Sequence, residues 1–230
     1  MSRYIQNIKE RKAAGTGIME TGFSPWRGLV PAGLLALLFS VLAEDIVSHE
    51  IYAFDGAVTG FVRQFTDPRV VLVMKALTML GSPGVIAVLV IAAAAALLLS
   101  GRPPGEPILL IAAASGSMII NELLKVAFHR PRPEVEQLVH AAGYSFPSGH
   151  SMTGMAFFGA LAYLLWTYRS PAFVRRVIAA FLLLLAFFIG VSRIYVGVHF
   201  PSDVLGGFAA GGAWLAVCIT AWRYLPVRRV

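Results

Sequence analysis

Apolar residues dominate this chain in six runs, each close to the length of a membrane-spanning helix. A helix needs about 20 mostly apolar residues to cross a bilayer. We predict spans over residues 28–44, 83–100, 107–128, 149–168, 174–193 and 201–222. The runs follow one another without a long polar linker, which favours a single domain. The pattern therefore predicts an all-α, integral membrane bundle of six transmembrane helices.

The connection between the first two spans has a pattern of its own. Apolar residues recur there at helical spacing over residues 53–66, namely Phe54, Val58, Phe61, Val62 and Phe65. This spacing predicts a short amphipathic helix lying on the outer face of the membrane. Residues 68–80 form either a second short helix or an extension of the second span, with a break at Ser82-Pro83-Gly84.

Composition supports a membrane protein and changes the meaning of the positive charge. The chain is 57% hydrophobic and 13% charged, against about 25% charged residues in an average soluble domain. Its net charge of +7 fits anchoring to anionic lipid headgroups. No nucleic-acid motif accompanies it, so we expect no nucleic-acid partner. We expect residues 1–27 to form a basic cytoplasmic tail and residues 28–224 the functional domain.

The distribution of basic residues predicts the orientation of the chain, because Lys and Arg concentrate in cytoplasmic segments. With the N-terminus inside, the inner segments hold 12 of the 19 Lys and Arg residues: Arg3, Lys9, Arg11, Lys12, Arg27, Arg102, Arg169, Arg175, Arg176, Arg223, Arg228 and Arg229. We therefore predict a multi-pass protein of the cell membrane with both termini in the cytoplasm.

Three polar clusters interrupt the apolar pattern. They are Lys125 with Arg132-Pro133, then Pro147-Ser148-Gly149-His150, then Ser192-Arg193 with His199 and Asp203. In the predicted topology each cluster lies at outer helix ends, so residues distant in sequence can share one extracytoplasmic pocket. Charges beside membrane segments are costly and call for a functional explanation. Three cations, two histidines and one carboxylate suit the cleavage of a phosphate ester without a metal or cofactor.

The first two clusters carry groups that bind anions. Pro131 and Pro133 end the helix, so that Arg132 can fold back toward Lys125. The alternative is a basic collar at the membrane interface. Ser148 is a candidate N-cap, and the start of the following helix favours an anion. Gly149 permits close approach of the backbone. The alternative there is an ordinary capped helix with an interfacial histidine.

The third cluster distinguishes the two histidines. Asp203 follows His199 by four residues and can accept a hydrogen bond from one ring nitrogen, which leaves the other free as a nucleophile. His150 has no acidic neighbour in sequence and becomes the candidate acid for the leaving oxygen. Lys125, Arg132 and Arg193 would bind the phosphoryl oxygens. The alternative is a structural cap of the last helix, with Arg193 pairing Asp203.

Four neighbouring residues receive a lesser role. His129 and Arg130 lie beside the first cluster and are expected to add to its electrostatic field. Asn121 and Glu122 precede Lys125 in the third span, and Glu122 can pair with Lys125; we interpret both mainly as structural.

Small residues in the last span have the spacing of close helix packing, which favours contacts inside the bundle over dimerisation. They are Gly206, Gly207, Ala210, Gly211 and Gly212.

The ordered motifs Lys-x6-Arg-Pro, Pro-Ser-Gly-His and Ser-Arg-x5-His-x3-Asp resemble the three-part signature of the type 2 phosphatidic acid phosphatase superfamily. The match is complete over residues 125–203. The resemblance implies a helical, metal-independent membrane enzyme that removes phosphate from lipid phosphates or pyrophosphates. It also implies His199 as nucleophile, forming a phosphohistidine, and His150 as acid.

Two other functions use the same residues. A transporter or flippase of phosphorylated lipids would explain the cations, but it leaves the His199–Asp203 pair and His150 without a task. A vanadate-holding, haloperoxidase-like site is disfavoured by the apolar spans. The motifs recognise phosphate and not its lipid, so phosphatidic acid, phosphatidylglycerol phosphate and undecaprenyl pyrophosphate all remain candidate substrates.

Overall fold

The computed structural model describes residues 25–168 and 171–224. Within these two ranges the chain is entirely helical and forms eight helices, which confirms the all-α class. They are α1 (Trp26–Val47), α2 (Tyr52–Arg63), α3 (Pro68–Leu80), α4 (Pro83–Leu99), α5 (Gly105–Phe128), α6 (Gly149–Trp166), α7 (Ala172–Tyr195) and α8 (Pro201–Tyr224). Residues 1–24 of the predicted basic tail lie outside the described residues.

Each of the six predicted spans coincides with a helix, but the number of membrane crossings is a separate matter. Among the described helices, four are long and apolar enough to cross a membrane, namely α1, α5, α7 and α8. Helices α3 and α4 pass the same test only as a pair, bent by 59° at their junction. Helix α6 is 18 residues long, and its first residues, Gly149 and His150, belong to the polar Pro-Ser-Gly-His motif. The protein is a membrane protein, and six crossings remain a prediction.

The connection between α1 and α4 follows one of the two alternatives predicted for it. Residues 68–80 form a second short helix, which Pro68 begins and Asp67 caps by accepting the Arg69 N–H at 2.7 Å. In α2, the predicted apolar face is divided: Phe54 and Phe61 are exposed, whereas Asp55 is buried. Helix α2 therefore turns a carboxylate toward the protein and aromatic rings away from it, because Asp55 has partners inside, as described below.

Helix α6 lies at the centre of the bundle, where it contacts α5, α7 and α8. Two glycines let α8 approach it closely. A Cβ atom at Gly211 would lie 2.3 Å from the carbonyl oxygen of Met152, and one at Gly207 would lie 2.6 Å from that of Ser148. These distances leave no room for a side chain. The small residues of the last span thus serve packing inside the bundle.

Four helix ends meet at one end of the bundle: the end of α5, the start of α6, the end of α7 and the start of α8. Backbone hydrogen bonds connect them. The Ser148 N–H donates to the Asp203 carbonyl at 2.9 Å, and the Leu138 N–H donates to the Val196 carbonyl at 2.9 Å. The three polar clusters are therefore brought together, as the alternation of spans implied.

Candidate active site

A cavity of about 290 Å³ opens where these helix ends meet. Its wall includes side chains from each of the three clusters, and an apolar portion from α5 and the α3–α4 junction. The lining residues are Gly81, Pro83, Met118, Asn121, Glu122, Lys125, Arg132, Gly149, His150, Thr153 and His199. Ser148, Arg193 and Asp203 are buried. Ser148 precedes Gly149 in the chain, Asp203 faces His199, and the charge of Arg193 acts on His199. All eight predicted site residues thus lie in or beside one cavity.

Arg132 folds back to the cavity wall that holds Lys125. Its guanidinium is fixed by three backbone carbonyls: Nε donates to Gly143 at 3.0 Å, Nη1 to Val198 at 2.7 Å and Nη2 to Ala142 at 2.8 Å. Burial lowers the pKa of Arg132 from its ordinary value, although Asp203 and Glu122 act in the opposite direction. An arginine stays protonated in proteins, so this site presents a positioned cation.

Lys125 forms an ion pair at the rim of the cavity. Its Nζ lies 2.8 Å from Oε1 of Glu122, whose side chain is 70% exposed. The Glu122–Lys125 contact considered from the sequence is therefore present. Asn121 has a structural contact, since its amide donates to the carbonyl of Pro147 at 3.0 Å. That bond holds the segment leading into α6 against α5.

The start of α6 brings backbone close to the cavity. A Cβ atom at Gly149 would lie 2.8 Å from Oδ1 of Asn121, so a side chain there would displace the Asn121 amide. Ser148 occupies the N-cap position, but its side chain makes no capping hydrogen bond. Instead, its hydroxyl accepts from Ser151 at 3.0 Å. The capping role predicted for the Ser148 side chain is wrong, because the buried hydroxyl of Ser151 takes its oxygen as acceptor.

Arg193 is held by α3. Its Nη1 donates to the hydroxyl of Thr78 at 2.5 Å, and its side chain is buried. The pairing of Arg193 with Asp203, considered from the sequence, does not occur. Within the described residues, the buried Nε of Arg193 has no hydrogen-bond partner. Arg193 does not itself line the cavity, but its charge acts on His199, which does.

His199 and Asp203 have the geometry expected from their spacing. Nδ1 of His199 lies 3.4 Å from Oδ2 of Asp203, and Nε2 lies 3.3 Å from Nη1 of Arg132. Asp203 also accepts the N–H of Phe200 at 2.8 Å. The capping alternative is therefore correct in part, since the same carboxylate caps α8 and faces the histidine.

His199 is neutral at neutral pH. Burial lowers its pKa to about 4; the charges of Arg193 and Arg132 act in the same direction, and the hydrogen bond and charge of Asp203 oppose them. With one nitrogen turned to Asp203, the other keeps its lone pair on the cavity side. The ring is therefore in the protonation state that a nucleophile requires.

The turn between α7 and α8 places His199 by way of Gly197. This residue has a positive φ of 78°, a conformation that glycine adopts at little cost. A Cβ atom there would also lie 2.6 Å from the carbonyl oxygen of Glu136. The turn returns the backbone so that the N–H of His199 donates to the Arg193 carbonyl at 3.3 Å. Two site residues six positions apart thus share one turn.

Ser145 and Asp55 were missed from the sequence, and Arg130 was given too small a role. Ser145 donates its hydroxyl to Asp203 and lies 3.4 Å from Nδ1 of His199. Arg130, expected only to add to the field, is buried and bonds to Asp203 at 2.6 Å and to Asp55 at 2.7 Å. For Arg130 and Asp55 a signal was present: Arg130 repeats the Arg-Pro of the motif, and Asp55 is an acid in a helix otherwise rich in apolar residues.

Comparison with known proteins points to a single family. The sequence profile described as the PAP2 superfamily matches residues 106–226. Phosphatidylglycerophosphatase B of Bacillus subtilis is 31% identical over 77% of this chain and 87% of its own length. Lipid A 1-phosphatase of Rhizobium etli is 40% identical over 47% of this chain and 46% of its own length.

The fold has a counterpart among solved structures. The crystal structure of a transmembrane PAP2 type phosphatidylglycerolphosphate phosphatase from Bacillus subtilis superposes with a TM-score of 0.76 at 28% sequence identity. The match covers 82% of this chain and 94% of the other.

Proposed function

This chain belongs to the PAP2 superfamily, and we propose that it is a membrane lipid phosphate or pyrophosphate phosphohydrolase acting through a phosphohistidine on His199. Residues 28–224 would form its phosphatase domain. The site would face the extracytoplasmic side of the cell membrane, with both termini in the cytoplasm, in keeping with the distribution of Lys and Arg.

One observation carries this proposal: a neutral histidine and two cations share a cavity wall with a second histidine. His199, Lys125, Arg132 and His150 line the same space of about 290 Å³. Binding a phosphate does not require a histidine whose Nδ1 faces a buried carboxylate. Nucleophilic attack on phosphorus benefits from this arrangement, because Asp203 would stabilise the positively charged ring that results.

The proposed reaction has two steps. Nε2 of His199 attacks phosphorus while the bond from phosphorus to the lipid oxygen breaks, and that oxygen takes a proton from His150. Water then attacks the phosphohistidine, gives a proton to His150 and releases inorganic phosphate. Lys125, Arg132 and Arg193 would neutralise charge on the transferring oxygens, which is the main task in phosphoryl transfer. The start of α6 at Ser148 and Gly149 would add backbone donors.

Phosphatidylglycerol phosphate is the substrate best supported among those considered. The relative that matches most of both chains carries that activity in its name. The cavity also has an apolar portion, formed in part by Pro83 and Met118, where the beginning of a lipid tail would fit. Phosphatidic acid, undecaprenyl pyrophosphate and lipid A 1-phosphate present the same reacting group and belong in the same test.

The test is phosphate release from these four lipids by the purified protein in detergent, with the His199→Ala variant beside it. We expect the variant to lose activity by about 10³-fold or more. A phosphoenzyme that is stable at alkaline pH and labile in acid, as a phosphohistidine is, should be trapped by alkaline denaturation only with His199 present. His140→Ala, in an exposed loop, is the matched control and should keep full activity. Full activity of His199→Ala would overturn the proposal. Binding without any phosphate release would favour a transporter.

A further inference from the structure

A buried carboxylate stands outside every motif of the site. Asp55 of α2 is 1% exposed, and its two oxygens are fully engaged. Oδ1 accepts the backbone N–H of Ser202 at 2.8 Å, and Oδ2 accepts the Ser202 hydroxyl at 2.7 Å. Oδ2 also faces Nη2 of Arg130 at 2.7 Å. These hydrogen bonds attach helix α2 to the first turn of α8, which follows closely after His199 in the chain.

Arg130 lies between two carboxylates. Its Nη1 donates to Oδ1 of Asp203 at 2.6 Å and to the Ser202 hydroxyl at 2.7 Å, while Nη2 serves Asp55. The guanidinium is 4% exposed and stacks over the ring of Phe200 at 4.2 Å. One oxygen of Asp203 is thus held by Arg130, and the other faces Ser145 and His199.

The arrangement has a consequence for the charge of Asp203. A buried Arg130 paired with Asp203 alone would neutralise the carboxylate that His199 needs. Asp55 supplies a second negative charge to the same guanidinium, so the three groups together carry one net negative charge. Buried ion pairs cost desolvation and are weak evidence for stability. A chain of three such charges ending at a candidate nucleophile therefore points to function.

We infer that Asp55 and Arg130 are positioning residues, which hold Asp203 in place and keep its charge available to His199. The inference rests on the proposed role of His199 as nucleophile. It assigns a task to α2, the short helix between the first two predicted spans: its buried carboxylate completes the site from outside the three motifs. Neither residue touches the cavity wall, so both act through Asp203.

Opposite charge changes provide the test. Asp55→Asn removes a negative charge, which leaves the positive His199 ring less stabilised. Arg130→Gln removes a positive charge and stabilises that ring. At low pH, kcat/KM for phosphate release falls as His199 becomes protonated; this fall is the acid limb of the pH profile. We expect the acid limb to move to lower pH in Asp55→Asn and to higher pH in Arg130→Gln, each by roughly 0.5 to 1 pH unit. The double variant should return the limb toward its original position.

The acid limb is informative because the charged and titratable groups facing His199 are known from every adjoining element. They are Asp203 of α8, Arg193 of α7, His150 of α6, Lys125 and Glu122 of α5, and Arg132 of the α5–α6 connection, and all stay unchanged in these variants. Asp67→Asn is the matched control: Asp67 caps α3, asparagine caps almost equally well, and the pH profile should stay as it was.

A purely structural role would lower kcat or thermal stability without opposite shifts of the acid limb, and that result would overturn the inference. If Asp55→Asn fails to fold in detergent, Arg130→Lys decides: it keeps the charge, so its limb should stay in place while that of Arg130→Gln moves. His199→Ala separates the two proposals. If His199→Ala is inactive while the acid limb of Arg130→Gln does not move, the result supports His199 as nucleophile and overturns the positioning role of Arg130 and Asp55.

Discussion

His199 has two unlike sides. The cavity side presents Lys125, Arg132 and His150, with Glu122 as the acid at the rim. The buried side presents Asp203, Ser145 and, one step further, the Arg130–Asp55 pair. Cations stand where a phosphate would lie, and carboxylates stand where the ring would become positive. In the proposed mechanism, the cavity side would therefore recognise the substrate, and the buried side would set the protonation state of the nucleophile.

We expect the largest effect on kcat from a substitution on the cavity side, at His150. His150→Ala should lower kcat on a lipid phosphate by about 10²–10⁴-fold, because the leaving alkoxide loses its proton donor. A soluble aryl phosphate such as p-nitrophenyl phosphate has a leaving group that needs no proton, so its kcat should fall far less. Equal losses on both substrates would argue against the acid role.

A smaller effect is expected on the buried side, at Ser145. Ser145→Ala removes a hydroxyl that donates to Asp203, and we expect kcat to fall about tenfold, or about 1.4 kcal/mol, with KM little changed. Thr220→Ala is the matched control, since that buried hydroxyl donates to the Ala216 carbonyl within α8. A raised KM at constant kcat would instead assign Ser145 to substrate binding.

Removing the acid at the cavity rim should have a modest and opposite effect. Glu122→Gln frees Lys125 from its ion pair at 2.8 Å, so KM for a lipid phosphate should fall by about twofold to threefold. The small size follows from the exposure of Glu122. Glu136→Gln, at an exposed position of the α5–α6 connection, should leave KM as it is. An increase in KM would mean that Glu122 contacts the substrate.

The smallest change is expected from acidification of the wild type. Since the pKa of His199 is lowered to about 4, the ring stays neutral from pH 7 to pH 5 and kcat/KM should show no loss from its protonation. Below that, protonation removes the lone pair, and kcat/KM should halve near pH 4. A half-loss near pH 6.5, the ordinary value for histidine, would show that burial does not control this ring.

Much of the cavity side could be predicted from the chain alone. Its residues occur in short motifs with fixed spacing, and the alternation of apolar runs assigns the motifs to one end of the bundle. The buried side could not be predicted in the same way. Asp55 and Asp203 are 148 positions apart by their numbers, and no local period relates them to Arg130. Only the packing of α2 against the start of α8 brings them within hydrogen-bond distance of one guanidinium.

The sequence by itself determined the helices, the three clusters and the pairing of His199 with Asp203, because helix periodicity and proline or glycine breaks act over a few residues. The tertiary structure alone decided which partners the buried charges take: Arg193 goes to Thr78, and Asp203 to Arg130. The physical reason is that burying a charge is costly unless a partner is present. That partner is chosen by the packing of helices and not by distance along the chain.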